Sequence, residues 1–142
     1  IGLVINIRTG EILAMSGISN KEKNLSASSL RAMQNLLVSF MFEPGSTFKP
    51  ITALLALEKK IYAPTDKIDC RDYHIDGRTI TDEHEHGYKF LNFRDIIAHS
   101  SNVGISKIVE KIGSKTLYDR IIEMGFGHKT GSNLYGEAKG IL

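Results

Sequence analysis

The spacing of apolar residues predicts helices in five segments of the chain. In the first of them, Leu30, Met33, Leu36 and Leu37 share one helix face. Gly113 and Gly125 follow the last two segments and are expected to end them. The five predicted helices cover residues of about 27–40, 46–60, 92–98, 103–112 and 115–124.

Short apolar or alternating runs predict strands elsewhere. Residues 2–7 and 11–17 surround Thr9-Gly10 and are typical of a β-hairpin, while 67–70 and 79–81 are shorter strand candidates within a turn-rich region over 61–91. The fold class is therefore expected to be α+β: an N-terminal hairpin and a mostly helical lobe. The hairpin would expose unpaired backbone at its edges, which favours pairing with a second copy of the chain.

Composition fits an ordinary globular domain. Hydrophobic residues make up 42% of the chain and charged residues 24%. The 18 basic and 16 acidic residues are nearly balanced, so nucleic acid is not an expected partner. The longest apolar stretch, around Leu36 to Phe42, is too short to cross a bilayer. A single cysteine, Cys70, excludes an internal disulfide, and we expect a free thiol there.

The segment Glu43-Pro44-Gly45-Ser46-Thr47-Phe48-Lys49-Pro50 carries the first candidate chemistry. Residues three apart share a helix face, so a helix that starts near Ser46 directs its hydroxyl and the Lys49 ammonium to the same side. A lysine can activate a serine nucleophile when its surroundings favour the neutral amine. Proline is tolerated in a first helical turn, so Pro50 fits this prediction. Taken alone, the pattern is more often a capping serine and a solvated lysine.

Ser100-Ser101-Asn102 is the second candidate motif. Asn92 is a plausible N-cap for the helix before it, so the polar triplet falls between two apolar helices. One interpretation is that Ser101 or Asn102 simply caps the second helix. The other is that the loop presents a hydroxyl and an amide to a cleft. We assign no catalytic role to the neighbouring His99.

Together these residues resemble the penicillin-binding protein transpeptidases, specifically the class B enzymes of division and elongation. The resemblance covers nearly the whole chain and keeps the family's order of motifs. Its segments are Val4 to Met15, Glu43 to Pro50, Gly77 to Asp82 with His86-Gly87, Ser100 to Gly104, Phe126 to Gly131, and Gly136-Glu137.

The resemblance implies a partial penicillin-binding or serine β-lactamase-like transpeptidase fold and a serine D,D-transpeptidase without cofactors. Ser46 would attack the penultimate D-alanine of a peptidoglycan stem peptide, with its own backbone N–H as one oxyanion donor, and Lys49 would be the base. Ser100 would relay a proton to the leaving amine, and Asn102 would bind the substrate backbone. β-Lactams would acylate Ser46.

Lys129-Thr130-Gly131 matches the letters of the family's third catalytic motif. The catalytic version lies on a β-strand, whereas this one stands among Gly125, Gly127 and Gly131, too many glycines for a strand interior. We interpret it as a structural turn and exclude it from the site.

The chain is therefore expected to be one piece, over 1–142, of a longer transpeptidase domain. By this interpretation 1–17 is a hairpin, 26–60 contains the nucleophile helix, 61–91 is turn-rich and 92–142 is a helical lobe with the Ser-x-Asn loop. It starts at Ile1 rather than methionine, and the third motif, the other oxyanion donor and the last strands of the sheet would lie in the remainder. The piece by itself is therefore expected to be an incomplete and inactive transpeptidase. The parent is expected to act outside the cytoplasm from a membrane anchor, with division or elongation proteins as partners.

Asp82-Glu83-His84-Glu85-His86 is the one segment with metal-binding residue types. Alternate residues on a strand point to the same side, so His84 and His86 could bind zinc or nickel. A hydrated polar turn is the more common interpretation, and we predict no metal site.

Two alternatives to a transpeptidase stay open at this point. A β-lactamase or β-lactam sensor would use the same acyl-enzyme chemistry, with deacylation by water separating the lactamase. A non-enzymatic scaffold or docking module is the other.

Overall fold

The computed structural model describes residues 2–17, 36–82 and 89–142. In that part of the chain, strands β1 and β2 come first, followed by a 3-10 turn, Gly45–Phe48, that leads directly into helix α1. Three further helices and four short strands follow. The elements are β1 Gly2–Ile5, β2 Ile12–Ser16, α1 Lys49–Glu58, β3 Lys67–Asp69, β4 Tyr73–Ile75, β5 Arg78–Ile80, β6 Phe90–Asn92, α2 Phe93–Ala98, α3 Asn102–Ile112 and α4 Ser114–Glu123.

The six strands form three separate antiparallel pairs: β1 with β2, β3 with β6, and β4 with β5. Helices and strands are thus both present and largely segregated, which confirms the α+β prediction. The predicted helix over 27–40 lies mostly outside the described residues, although 36–39 are helical.

Contacts divide the chain into two compact units. The hairpin unit comprises Ile1–Phe42 with Gly125–Leu142, and the helical unit comprises Glu43–Met124. The candidates Ser46, Lys49, Ser100 and Asn102 all belong to the helical unit.

In the hairpin unit, the first predicted hairpin is present but shorter than expected. Asn6 ends β1, since its N–H donates to the carbonyl of Glu11 at 2.9 Å and its own carbonyl accepts from Gly10 at 2.8 Å. Gly10 has φ +76°, a conformation that suits glycine. Residues 6–11 therefore form a loop, so residues 6, 7 and 11 of the two predicted strands are not part of β1 or β2.

In the helical unit, two strands were absent from the sequence prediction. β4 and β5 form a hairpin around Asp76 and Gly77, whose φ values of +48° and +74° are typical of the tight turn that Asp-Gly favours. This dipeptide was the signal that could have revealed β4. β6 pairs with the distant β3, placing Leu91 opposite Ile68, and no local pattern encodes such a pairing.

The helical unit contains a continuous apolar core to which α1, α2 and α3 all contribute. Gly104 lets α3 approach α2 closely, because a Cβ built there would lie 2.7 Å from Cγ1 of Ile96. Asn92 and Gly113 act as predicted: the Asn92 side chain accepts from the Asp95 N–H, and Gly113 ends α3. The buried apolar residues are Ala53, Leu55, Ala56, Ile68, Cys70, Leu91, Phe93, Ile96, Val103, Ile108 and Ile112.

Candidate active site

The serine nucleophile candidate lies in a tight turn that opens the long helix. Gly45 takes φ +57°, after which Gly45–Phe48 form the 3-10 turn and Lys49–Glu58 form α1. Pro50 occupies the first turn of α1, as expected. The Lys49 N–H donates to the carbonyl of Ser46, so the chain itself holds these residues one turn apart. Ser46 is exposed, which leaves its hydroxyl accessible to a substrate.

The Lys49 ammonium joins the two predicted motifs. Nζ of Lys49 donates to Oδ1 of Asn102 at 2.7 Å, to Oγ of Ser100 at 3.0 Å, and to the main-chain carbonyl of Ser100. An ammonium can donate several hydrogen bonds at once, so this one group contacts both residues. The structure therefore brings Lys49 together with Ser100 and Asn102, which lie more than 50 residues further along the chain.

Ser101, the middle residue of the triplet, is the helix cap. Its hydroxyl oxygen accepts from the Gly104 N–H at 2.9 Å, and its O–H donates to Oδ2 of Asp82 at 2.8 Å. The residue is only 1% exposed. Ser101 therefore caps α3, while its neighbours Ser100 and Asn102 contact Lys49.

Asp82 is a residue of this site that sequence reasoning missed. Its second carboxylate oxygen, Oδ1, accepts from the Val103 N–H at 2.9 Å, in the first turn of α3. A carboxylate is favourable at a helix N-terminus, where free N–H groups and the positive end of the helix dipole meet. Asp82 was placed in a segment of the family resemblance and in a possible metal-binding segment but was given no role in the site, because nothing local in the sequence indicates a contact about twenty residues away.

Thr81, the residue before Asp82, makes a contact that orients Asn102. Nδ2 of Asn102 donates to the carbonyl of Thr81 at 3.3 Å. A carbonyl can only accept and an ammonium can only donate, so Thr81 and Lys49 together fix which way round the amide lies.

Cys70 is buried near this loop as a free thiol. Burial raises its pKa, an effect that the nearby Ser101 hydroxyl partly offsets. The thiol is therefore neutral and acts as a small apolar core residue.

The metal hypothesis for Asp82 to His86 falls largely on residues 83–88, which lie outside the described part of the chain. Within the described part, no group of three or more histidine, cysteine and acidic side chains has the arrangement of a metal site.

Lys129-Thr130-Gly131 lies in an irregular loop of the hairpin unit rather than on a strand. The Thr130 N–H donates to Oε1 of Glu137 at 2.6 Å, and the Thr130 hydroxyl donates to the same oxygen at 2.5 Å. Ser132 donates to the other carboxylate oxygen at 3.3 Å. These contacts close the loop 130–137 on itself and agree with the interpretation of a structural turn.

The sequence as a whole, residues 1–142, matches the family described as the penicillin binding protein transpeptidase domain. It is 38% identical over 143 residues to peptidoglycan D,D-transpeptidase FtsI of Buchnera aphidicola, covering 100% of this chain and 25% of that protein. It is 34% identical over 140 residues to FtsI of Escherichia coli K12, covering 98% of this chain and 24% of that protein. The chain thus spans about a quarter of the length of these relatives.

Solved structures agree with the sequence comparison. The crystal structure of a peptidoglycan synthetase from Bifidobacterium adolescentis superposes with a TM-score of 0.82 at 30% identity, over 99% of this chain and 26% of that one. The helices, strands and loop described above therefore form part of a transpeptidase-like fold. Among the described residues, none of the helices has both the length and the apolar character to cross a membrane.

Proposed function

Because this chain belongs to the penicillin-binding protein transpeptidase family, we propose that it carries the acylating half of a peptidoglycan D,D-transpeptidase site. The observation that supports this best is the set of hydrogen bonds from the Lys49 ammonium to Ser100 and Asn102. These contacts bring the amine on the nucleophile helix within hydrogen-bond reach of the Ser-x-Asn loop, which supports proton transfer between Lys49 and Ser100.

Acylation begins at Ser46. Its Oγ attacks the carbonyl carbon of the penultimate D-alanine while the neutral Lys49 amine takes the hydroxyl proton. The new C–O bond gives a tetrahedral oxyanion, and the Ser46 N–H donates to it from a first helical turn, where N–H groups lack intrahelical partners. The C–N bond to the terminal D-alanine then breaks. Ser100 passes its proton to the leaving amine and takes the proton held by Lys49 in its place, so that Lys49 is neutral again.

Deacylation reverses the proton flow. An amine from a neighbouring stem peptide attacks the ester carbonyl, gives up a proton to the Ser100 and Lys49 pair, and forms the cross-link as the ester C–O bond breaks. Lys49 returns this proton to the leaving oxygen of Ser46, which recovers its hydroxyl. A β-lactam follows only the first half, since its ring-opened acyl group stays attached to Ser46.

Stem peptides and β-lactams are the ligands that this site chemistry favours. Division or elongation proteins, and a second copy of the chain through the edge of the β1–β2 hairpin, are the proposed protein partners. The proposed location is outside the cytoplasm, as part of a membrane-anchored protein that meets its substrate in the cell wall.

Intact mass spectrometry after incubation with benzylpenicillin tests the proposal. We expect one adduct in the wild type, none in Ser46→Ala, and an unchanged adduct in Thr47→Ala. Thr47 is a matched control because it places a hydroxyl on the next residue but donates it to the Pro44 carbonyl at 2.5 Å.

Other outcomes would contradict parts of the proposal. An adduct that persists in Ser46→Ala assigns the nucleophile elsewhere. Rapid loss of the adduct in water indicates a β-lactamase. No adduct in the wild type means that this chain does not acylate. A peptide ending in D-Ala-D-Ala, with and without a D-amino acid acceptor, then distinguishes transfer to an amine from hydrolysis.

A further inference from the structure

The helix before the Ser-x-Asn loop ends in a turn that usually contains glycine. Its C-cap is His99, and Ser100 follows with φ +55°. The Ser101 N–H donates to the Ile96 carbonyl at 2.9 Å, and the Ser100 N–H donates to the Ile97 carbonyl at 3.2 Å. These two bonds define a Schellman motif, in which the residue at the position of Ser100 is left-handed and most often glycine. A side chain there costs conformational energy.

This turn gives Ser100 two contacts with Lys49. The main-chain carbonyl of Ser100 no longer follows the direction of α2, and it accepts a hydrogen bond from the Lys49 ammonium. The hydroxyl of the same residue lies 3.0 Å from Nζ. Glycine would keep the carbonyl and lose the hydroxyl. Threonine would keep the hydroxyl but resist the left-handed backbone, because β-branched residues are rare at positive φ.

Two of the groups that Lys49 contacts, the Ser100 carbonyl and Oδ1 of Asn102, can only accept, whereas the Ser100 hydroxyl can donate or accept. A neutral amine keeps two N–H bonds, so these two acceptors can hold Lys49 in place in either protonation state. The hydroxyl is the member of this set that can pass a proton to or from Lys49.

We propose that the left-handed turn at Ser100 is a positioning element, in which the main-chain carbonyl and the hydroxyl of one strained residue together fix the Lys49 amine. The protein gives up stability at this turn in exchange for a base with a defined orientation. The inference rests on the proposed role of Lys49 as the base.

The end of α1 provides a matched control. Lys60 has φ +54°, its N–H donates to the Leu57 carbonyl at 3.0 Å, and the Ile61 N–H donates to the Ala56 carbonyl at 3.0 Å. This is the same motif, again with a non-glycine residue at the left-handed position. Lys60 is exposed and lies at the opposite end of α1 from Lys49.

The experiment compares Ser100→Gly and Ser100→Thr with Lys60→Gly and Lys60→Thr. The Tm of each variant is measured by thermal melting. The rate at which the Lys49 ammonium protons exchange with water is monitored by ¹⁵N-edited NMR. The Lys49 signal is identified by its loss in Lys49→Arg. Acylation by benzylpenicillin is recorded separately.

We expect both glycine variants to raise Tm by roughly 2–6 °C and both threonine variants to lower it. Ammonium exchange should accelerate about fivefold or more in Ser100→Thr, where the carbonyl contact is lost, and less in Ser100→Gly. Neither Lys60 variant should change it. Acylation should fall about 100-fold or more in Ser100→Gly, despite its higher Tm, because the hydroxyl relay is gone.

The proposal would be overturned if the Lys49 ammonium protons exchanged as slowly in Ser100→Thr as in the wild type. It would also be overturned if Lys60→Gly raised Tm and Ser100→Gly did not. If Ser100→Thr does not fold, Ser100→Ala takes its place. It lacks the same hydroxyl as Ser100→Gly but keeps a Cβ, so faster exchange than in Ser100→Gly supports the proposal and equal exchange contradicts it. Absence of acylation in the wild type would contradict the proposed function and leave the melting and exchange comparison decisive.

Discussion

The two units of this chain differ in how deeply their apolar side chains are buried. In the helical unit, Ile96, Val103 and Ile108 are completely buried. In the described part of the hairpin unit, Leu13 and Phe42 are 63% and 74% exposed, and none of the apolar residues is fully buried. Candidate catalytic groups therefore lie on the unit whose backbone is held by a closed core.

This difference matters because catalysis requires positions defined to a fraction of an ångström. Ile96 and Val103 stand on either side of the loop that carries Ser100 and Asn102, so core packing fixes both ends of that loop. The hairpin unit offers apolar surface without such a core, which suits an interaction role more than a catalytic one.

The largest effect is expected from removing core volume in the helical unit. Ile96→Ala should lower the free energy of unfolding by about 2–5 kcal/mol, because a fully buried side chain leaves a cavity. Leu13→Ala should cost less than about 1 kcal/mol, because most of that side chain is already in water. Chemical denaturation measures both, and equal losses would show that the two units do not differ in packing.

A smaller loss is expected at the cap of α3. Asp82→Ala leaves the Val103 N–H and the Ser101 hydroxyl without their partner, which should cost about 1–3 kcal/mol. The exposed Asp72→Ala serves as control and should change stability by less than about 0.5 kcal/mol. Hydrogen exchange at the Val103 amide localises the effect, and unchanged protection there would contradict the contact between Asp82 and the first turn of α3.

Local patterns were enough to predict most of the helical unit from sequence. Asn92 as a cap, Gly113 as a helix end and Pro50 in a first turn are all decided by neighbouring residues, and all three are confirmed. The α+β class and the partial transpeptidase-like fold are confirmed as well. The joining of Lys49 to Ser100 was foreseen only through the resemblance, because spacing alone cannot bring together residues so far apart in sequence.

Apart from β4, which the Asp76-Gly77 turn could have revealed, the missed features depend on distant contacts or on small details of the backbone. Asp82 binds the start of α3 across about twenty residues, and β6 exists only because β3 lies beside it. The 3-10 turn at Ser46 was predicted as ordinary helix, since sequence patterns do not resolve the two. The left-handed conformation of Ser100 was likewise invisible, because serine gives no sign that it stands where glycine is usual.

In the hairpin unit, pH should reveal the contribution of Glu137. Hydrogen bonds from Thr130 lower the pKa of this carboxyl, so the stabilisation is present above the unfolded pKa, near 4.3, and is lost as pH falls through the lower folded value. Glu137→Gln should be less stable than the wild type at pH 7, and the difference should shrink below about pH 4. Melting curves across pH test this against Glu43→Gln, and a difference independent of pH would contradict it.

The smallest effect is expected at the hairpin edge, through association. The chain of 15.8 kDa should show a weight-average mass that rises with concentration in sedimentation experiments. Val4→Lys should abolish the rise, because a charged side chain on an open strand opposes pairing. Val4→Thr is the control and should behave as the wild type. A constant monomer mass in the wild type would exclude the proposed pairing.

The fixed orientation of Asn102 limits how a peptide can enter the site. Its oxygen is taken by Lys49 and one of its two N–H bonds by the Thr81 carbonyl, so a single donor remains. If Asn102 binds substrate as proposed, a peptide lying alongside would place a backbone carbonyl against this donor. Since carbonyls and N–H groups alternate along an extended backbone, that one contact would help to set the register in which the peptide lies.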